Sequence, residues 1–196
     1  MNIQKAGAKD HTKMAETLAQ AFNNDPVFNY FIRQDIRREQ AFRKMFEMCI
    51  RLMSESDELY ITDKIEGVAL WSPSEKWQLS FFQEMALLPT FLRICGLSRL
   101  GRINNVMNMT KKSHPSCPHM YLFAIGVLPD QRGKGIGSNL MRHMLDRCDN
   151  NKIPAYLENS NEANLHLYIS HKFKVIGEIQ VSPDAPKLWL MWRDPQ

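Results

Sequence analysis

HMYLFAIGVLPDQRGKGIGSNLMRHM, residues 119–144, decides how the rest of the chain is read. Tyr121 to Val127 is an apolar run rich in aromatic and β-branched side chains, closed by Pro129 and Asp130, which is the composition of a buried strand stopped by a turn. Arg132, Gly133, Lys134, Gly135, Ile136 and Gly137 then set three glycines and two cations where a helix begins. The helix is marked by Ile136, Leu140, Met144 and Cys148, which recur every four residues. The first N–H groups of a helix have no intrahelical partner, and glycines carry no side chain to hold an anion away. The stretch therefore predicts a phosphate-binding turn between a strand and a helix.

Spacing excludes two familiar phosphate loops. A P-loop needs Ser or Thr after Gly-Lys, and Gly135 follows Lys134. The dinucleotide fingerprint needs a glycine where Leu140 stands, and no βαβ pattern with an acidic ribose ligand follows.

Outward from this stretch, 196 residues with 44% hydrophobic content suit a single domain, 1–196, with a sizeable core. The charge of +4, from 25 basic and 21 acidic residues, is too mild to argue for nucleic acid but suits a polyanionic cofactor. Arg37/Arg38 and Lys111/Lys112 read as solvated faces. Cys49, Cys95, Cys117 and Cys148 form no CxxC pair, which argues against a zinc site, any other metal centre or a disulfide framework. With no apolar leader and no run long enough to span a bilayer, the expectation is a cytoplasmic protein without membrane contact.

Asn2 to Ala6 reads as a first strand, and Asp10 as the cap of a helix reaching Phe22. Helices are expected from Val27 to Ile32 and from Asp35 to Ser54. Phe28, Tyr30 and Phe31 are either core or the wall of a substrate cleft. Glu58 to Thr62 and Glu66 to Trp71 read as a hairpin. Glu75 to Lys112 is a helical insert, about 75–113, interrupted by Pro89, Gly96 and Gly101. Its apolar residues, Phe81, Phe82, Met85, Leu87, Leu88, Phe91, Leu92 and Ile94, must pack on something. Met85, Met107 and Met109 would suit a mobile lid over an acceptor pocket. Ile153 to Ser160 is the next strand, and Asn161 caps a helix through His171 that puts Asn161, Asn164 and Tyr168 on one face. Phe173 to Val181 and Lys187 to Trp192 close the chain as a hairpin.

Several residues are chemical candidates on their own. Cys117 lies between prolines with no partner base, so it reads as incidental. His119 opens the central strand and is either a proton acceptor or a strand-end cap. Gly126, inside a strand, marks a bulge or the close approach of a ligand.

The motif Q/R-x-x-G-x-G/A, matched by Arg132, Gly135 and Gly137, resembles the acyl-CoA signature of the GNAT acetyltransferase superfamily. GVALWSP, PAYLENS, NEANLHLYISHKF and LWLMWRDP follow in an order similar to puromycin N-acetyltransferase-like members. The resemblance covers about Tyr60 to Trp71 and His119 to the C-terminus. It implies an α+β fold in three α/β/α layers. Its mixed, mostly antiparallel sheet of six to seven strands would splay in a V between 121–127 and 153–159, with acetyl-CoA in the splay. The cofactor would meet Ile125, Gly126, Val127, Asn164 and Tyr168, with its pyrophosphate on Arg132, Gly133, Lys134, Gly135, Ile136, Gly137 and Ser138. A backbone N–H near Val127 would stabilise an oxyanion and Tyr168 would donate to the leaving thiolate. Glu158 is the best carboxylate for a general base, with His119 or a water chain as alternatives. Lys172 stands where the family has glycine, which implies either a strained left-handed residue or a different turn.

Three activities fit: N-acetylation of a small-molecule primary amine, acetylation of a protein or peptide, or non-catalytic acetyl-CoA sensing. The partners expected are acetyl-CoA and an amine, in a monomer or homodimer.

Overall fold

In the computed structural model, residues 1–54, 58–76, 80–180 and 182–196 are described. Val181, the expected end of a strand, three positions of the insert, 77–79, and the Phe81 side chain lie outside them. The elements are β1 (Ile3–Lys5), α1 (His11–Ala21), α2 (Pro26–Phe31), α3 (Arg38–Met53), β2 (Glu58–Thr62), β3 (Gly67–Pro73), α4 (Phe81–Cys95), α5 (Leu100–Ser113), β4 (Met120–Val127), α6 (Ile136–Asn150), β5 (Ala155–Asn159), α7 (Leu165–Ser170), β6 (Lys174–Ile179) and β7 (Leu188–Arg193). The strands form one seven-stranded sheet in the order β1-β2-β3-β4-β5-β7-β6. Among the described residues, only the β4–β5 pair is parallel.

Strand alternation makes the layers. Leu59, Ile61, Val68, Leu70 and Ala124 share one core with residues of α1 to α5, whereas Tyr60, Ala69, Trp71, Leu122 and Leu157 share a second core with α6 and Tyr168. A side-chain period of two thus gives each face of the sheet its own helical layer. This is the expected α+β, three-layer, mixed sheet.

The splay follows from register. β4 and β5 pair only at Met120↔Ala155 and Tyr121↔Tyr156, yet β4 runs on to Val127 and β5 to Asn159. The two strands therefore part like a V that is closed at Met120 and Ala155. β4 also carries a bulge. Its register on β3 steps from Leu70↔Ala124 to Trp71↔Leu122, leaving Phe123 as the extra residue.

Two local expectations change. The bulge lies at Phe123, not at Gly126. A Cβ on Gly126 would lie 2.8 Å from Ala21 Cβ and 2.9 Å from Leu18 Cδ2, so this glycine serves the close packing of α1 on the sheet. In the insert, α4 passes through Pro89 and α5 includes Gly101; Gly96, at φ 71°, separates them. A proline inside a helix costs about 3 kcal/mol. Burying Leu87, Phe91 and Ile94 on the core offsets that at roughly 2 kcal/mol each. Among the described residues, no helix is long and apolar enough to cross a membrane.

Candidate active site

The side of the splay between β4 and α6 is made mostly of backbone. Gly133 and Gly135 stand at φ 78° and 76°, the left-handed region. A side chain there costs about 1 kcal/mol or more. No atom lies within 4 Å of where their Cβ atoms would be, so the turn faces open space. Gly135 is the N-cap of α6 and no side chain caps that helix. Asn139 N–H bonds back to Gly135 O at 3.0 Å, so the N–H groups of Ile136, Gly137 and Ser138, one turn earlier, have no intrahelical acceptor. Gly137 lies under Val127 and Leu167: a Cβ there would sit 3.6 Å from Val127 Cγ2 and 4.0 Å from Leu167 Cδ2.

β4 adds further backbone groups. Leu128 N–H donates to Glu66 O at 2.9 Å, which fixes the phase of the β3–β4 ladder. Polar groups alternate edges along an antiparallel strand. Those of Gly126 therefore turn to β3, and those of Ile125 and Val127 turn into the splay, beyond the last β4–β5 pair.

The two cations have partners elsewhere. Arg132 Nη2 donates to Ala21 O at the end of α1 at 2.7 Å, and Lys134 Nζ donates to Gln131 Oε1 at 2.8 Å. Ser138 Oγ lies 2.6 Å from His171 Nε2, joining α6 to the end of α7. Burial, with Arg142 and Arg193 nearby, pushes the His171 titration down.

Tyr168 is buried on α7 with its ring edge-on to Phe173. Burial, reinforced by the Asp25 charge, pushes its phenol well above the ordinary range. It is therefore a proton-bearing donor at neutral pH. No hydrogen bond to its hydroxyl occurs among the described residues. The helix that carries it is shorter than the spacing predicts. Asn161 caps a 3₁₀ turn, Glu162–Asn164, through Ala163 N, and α7 starts only at Leu165. Asn164 is exposed at its N-terminus, so Asn161, Asn164 and Tyr168 do not form one α-helical stripe. At the other end the left-handed turn survives without glycine: Lys172 has φ 69°. Lys172 N–H bonds to Ile169 O at 2.9 Å and Phe173 N–H to Tyr168 O at 3.1 Å, a Schellman motif.

The other side is made of side chains. A cavity of about 340 Å³ lies on the α1–α5 face. Phe28 and Phe31 of α2, Met45 and Met48 of α3, Phe91 of α4 and Met107 of α5 wall it, and Tyr121, Phe123, Glu158 and Ser160 line the strand side. The insert thus packs over a cleft, and Phe28 and Phe31 are both core and wall. Tyr30 instead meets Ser182 Oγ at 3.0 Å. Asp25 ties the aromatic helix to the end of β5: its carboxylate accepts from Val27 N at 2.9 Å and Phe28 N at 3.0 Å and from the Ser160 hydroxyl. Burial raises the Asp25 titration despite these bonds.

Glu158 is in this wall. Tyr121 OH donates to its Oε2 at 2.6 Å, and its Oε1 lies 3.7 Å from His114 Nδ1. His114 Nε2 is 3.0 Å from His119 Nε2, and His119 Nδ1 is 2.8 Å from Cys117 O. His119 is buried and looks toward His114, and burial pushes its titration down. Cys117 is an exposed free thiol. Among the described residues, no group of three or more His, Cys, Asp or Glu is placed to hold a metal ion.

Residues 70–173, from β3 through the glycine turn to the end of α7, match the model of the acetyltransferase (GNAT) family. The chain belongs to the GNAT family. The match takes in the glycine turn, the splay and Tyr168. A Schizosaccharomyces pombe relative, an uncharacterised N-acetyltransferase, is 27% identical over 210 residues, covering 100% of this chain and 84% of that protein. The crystal structure of a histone acetyltransferase HPA2 and related acetyltransferase from Corynebacterium glutamicum is 26% identical. It covers 100% of this chain and 96% of its own, with a TM-score of 0.76. Arylalkylamine N-acetyltransferase 2 from Aedes aegypti shares the fold at 15% identity and a TM-score of 0.63, over 100% of this chain and 99% of its own.

For a GNAT protein, the uncapped α6 N-terminus and the inward Ile125 and Val127 groups suit the acetyl-CoA that the family uses as donor. Four residues of the site escape sequence reasoning. Asp25 looks like a helix breaker, Tyr121 like core, Ser160 like a strand end and His114 like loop. The available signal was His114 and His119 bracketing Pro115 and Pro118, a loop short enough to fold two imidazoles together.

Proposed function

We propose that this GNAT protein is an N-acetyltransferase that moves an acetyl group from acetyl-CoA to a small primary amine with an apolar body. The observation that carries the acceptor class is the aromatic and methionine-lined cavity with Glu158 and Tyr121 in its wall beside the splay. The body of the amine would fill the apolar part and its nitrogen would approach the carboxylate. The resemblance to puromycin N-acetyltransferase-like members supports the same small-molecule class.

Each group then has a role. The N–H groups of Ile136, Gly137 and Ser138 and the Gly133–Gly135 turn receive the pyrophosphate, with the Arg132 and Lys134 side chains adding charge when they leave their present partners. Exposed Asn164 joins them at the rim. The Ile125 backbone holds the donor's arm alongside β4. Val127 N–H donates to the developing oxyanion, a contribution of about 3 kcal/mol. Glu158 takes a proton from the ammonium, and the freed amine attacks the thioester carbonyl directly. Tyr168 donates a hydrogen bond to the departing sulfur. A free phenol is already about 1.5 units above a thiol, roughly 2 kcal/mol, and burial widens that gap. Hydrogen-bond donation, rather than full proton transfer, is thus the role of Tyr168.

One chain supplies all these groups, so monomer and homodimer serve equally. The buried thiols of Cys49, Cys95 and Cys148 and the free Cys117 suit a reducing cytoplasm. The test is CoA release against 2-phenylethylamine, hexylamine, puromycin, spermidine and lysine peptides. The highest kcat/KM is expected for the amines with an apolar body. Preference for lysine peptides would make the protein a protein acetyltransferase, and tight acetyl-CoA binding without CoA release would make it a sensor.

A further inference from the structure

A carboxylate that takes the ammonium proton must pass it on, and two buried imidazoles stand behind Glu158 without lining the cavity. Hydrogen placement along them follows from the bonds. The Cys117 carbonyl can only accept, so His119 carries its hydrogen on Nδ1, 2.8 Å away. Burial keeps His119 neutral, which makes its Nε2 an acceptor. His114 Nε2, at 3.0 Å, is therefore the donor, and its Nδ1, 3.7 Å from Glu158 Oε1, is the nitrogen placed to receive a proton from the carboxylate.

We propose that Glu158 and His114 act as one base: the proton taken from the ammonium by Glu158 passes to Nδ1 of His114, and His119 is the positioning residue that holds His114 in the receptive tautomer. The inference rests on the reading of Glu158 as the base. In the step, one N–H bond of the ammonium breaks and its electron pair forms the C–N bond. As the tetrahedral intermediate collapses, the C–S bond breaks with its pair on sulfur, and the second proton lost by the nitrogen neutralises that thiolate as the CoA thiol. The first proton bonds briefly to Glu158 and ends on His114. The result is an imidazolium against a carboxylate, a pair that is neutral overall and better tolerated in a buried site than either charge alone. The proton leaves to water when the product departs. The 3.7 Å separation shortens as the carboxylate turns in the substrate complex, as such contacts commonly do.

Other groups face the pair. Tyr156 comes from β5 and Tyr121 from β4, each packing its ring against His114. Trp192 of β7 packs on His119, and Glu75, beyond β3, acts on it through charge. Ser74 Oγ holds the His119 backbone N–H at 3.1 Å. Cys49 of α3 acts on Tyr121. For His119, burial lowers the titration more than the charges of Glu158 and Glu75 raise it.

The test uses the full chain with 2-phenylethylamine and saturating acetyl-CoA. Glu158→Gln is expected to lower kcat at least 100-fold and His114→Gln at least 10-fold, both with acetyl-CoA KM unchanged. His114→Gln also displaces the acidic limb of the pH–kcat profile. Groups that act as a unit are non-additive, so Glu158→Gln/His114→Gln should be no slower than Glu158→Gln alone. Wild-type kcat and pH profile in His114→Gln, or multiplicative losses in the double variant, would overturn the shared base while leaving Glu158 in place. Wild-type turnover in Glu158→Gln would remove both. Nitrogen-15 NMR of the unsubstituted protein gives a readout independent of how any variant folds. His119 should show Nδ1–H and His114 Nε2–H at neutral pH, and the opposite tautomers would sink the relay.

Discussion

The two sides of the splay are built from different materials. The side proposed for the donor is one continuous segment, β4 through the turn into α6, in which two left-handed glycines place the backbone N–H groups. The side proposed for the acceptor draws side chains from α2, α3, α4, α5, β4, β5 and β7, over a span from Phe22 to Leu188. Backbone geometry tolerates change in surrounding side chains, whereas a pocket made of side chains changes with each of them. A fold of this design can keep one donor and alter its acceptor by substitution in the helices alone.

The sharpest way to break the comparison is Tyr168→Phe, since Tyr168 alone would serve the chemistry without binding either partner strongly. Turnover is expected to fall roughly 10³-fold, about 4 kcal/mol in barrier, with acetyl-CoA affinity and amine KM held. Single-turnover kinetics together with calorimetry of acetyl-CoA binding separate the two. An unchanged rate would take Tyr168 out of the mechanism and leave the donor side as a binding device only.

Next in size is a tie at the closed end of the V. Arg193 ends β7 opposite Ala155, at the closed end of the V, and binds Asp149 at the end of α6 through two bonds of 2.6 and 2.7 Å. Its Nε also donates to His171 O at 2.9 Å. Arg193 is buried, so Asp149→Asn leaves a poorly compensated charge and is expected to cost about 3 kcal/mol of stability. The hydrogen bonds from Arg193 hold the Asp149 carboxyl below its ordinary 3.8. A lowered folded value stabilises above the unfolded one and is lost as pH falls through the folded value. Urea denaturation from pH 7 down through pH ~4 should therefore show the wild type losing stability that Asp149→Asn never had. A parallel loss in both proteins would mean that the pair contributes nothing to holding the V closed.

How much of each side was legible in the chain follows from the same contrast. The glycine turn, the strand before it and the helix after it are local, so spacing and composition expose them, and the family signature lies in that run. The V itself came only from the resemblance, because divergence of β4 from β5 is a matter of register across chain segments. Pro89 misled because local propensity was outweighed by burial of α4. The Gly126 reading expected a bulge or a ligand at close approach, whereas the close neighbour is α1. Glu158 was visible as a carboxylate beside the splay, but its neighbours Tyr121 and His114 were not, since the contacts lie 37 and 44 residues away in sequence. No periodicity reports a contact of that kind.

A milder substitution sharpens the acceptor half. Met107→Ala, on partly buried α5 wall, removes apolar contact worth about 1.5 kcal/mol. KM for an apolar amine should rise roughly tenfold while KM for acetyl-CoA stays put. Equal changes in both constants would show that α5 braces the whole splay rather than the acceptor pocket.

The smallest effect probes the left-handed turn after α7, where lysine stands at a position for which the resemblance implies glycine. Lys172 is left-handed at φ 69° in a turn whose two backbone bonds are both made, so the chain keeps the geometry and carries the strain. Lys172→Gly relieves a left-handed side chain, a gain of about 1 kcal/mol, reduced by the greater freedom glycine has when unfolded. The Schellman turn sets where α7 ends and hence where Tyr168 points. If the turn is already the family's turn, the variant should be slightly more stable in chemical denaturation and its kcat should not move. A rise in kcat would instead mean that lysine holds Tyr168 off its optimum, making the C-terminus of α7, rather than the phosphate turn, the adjustable part of the donor side.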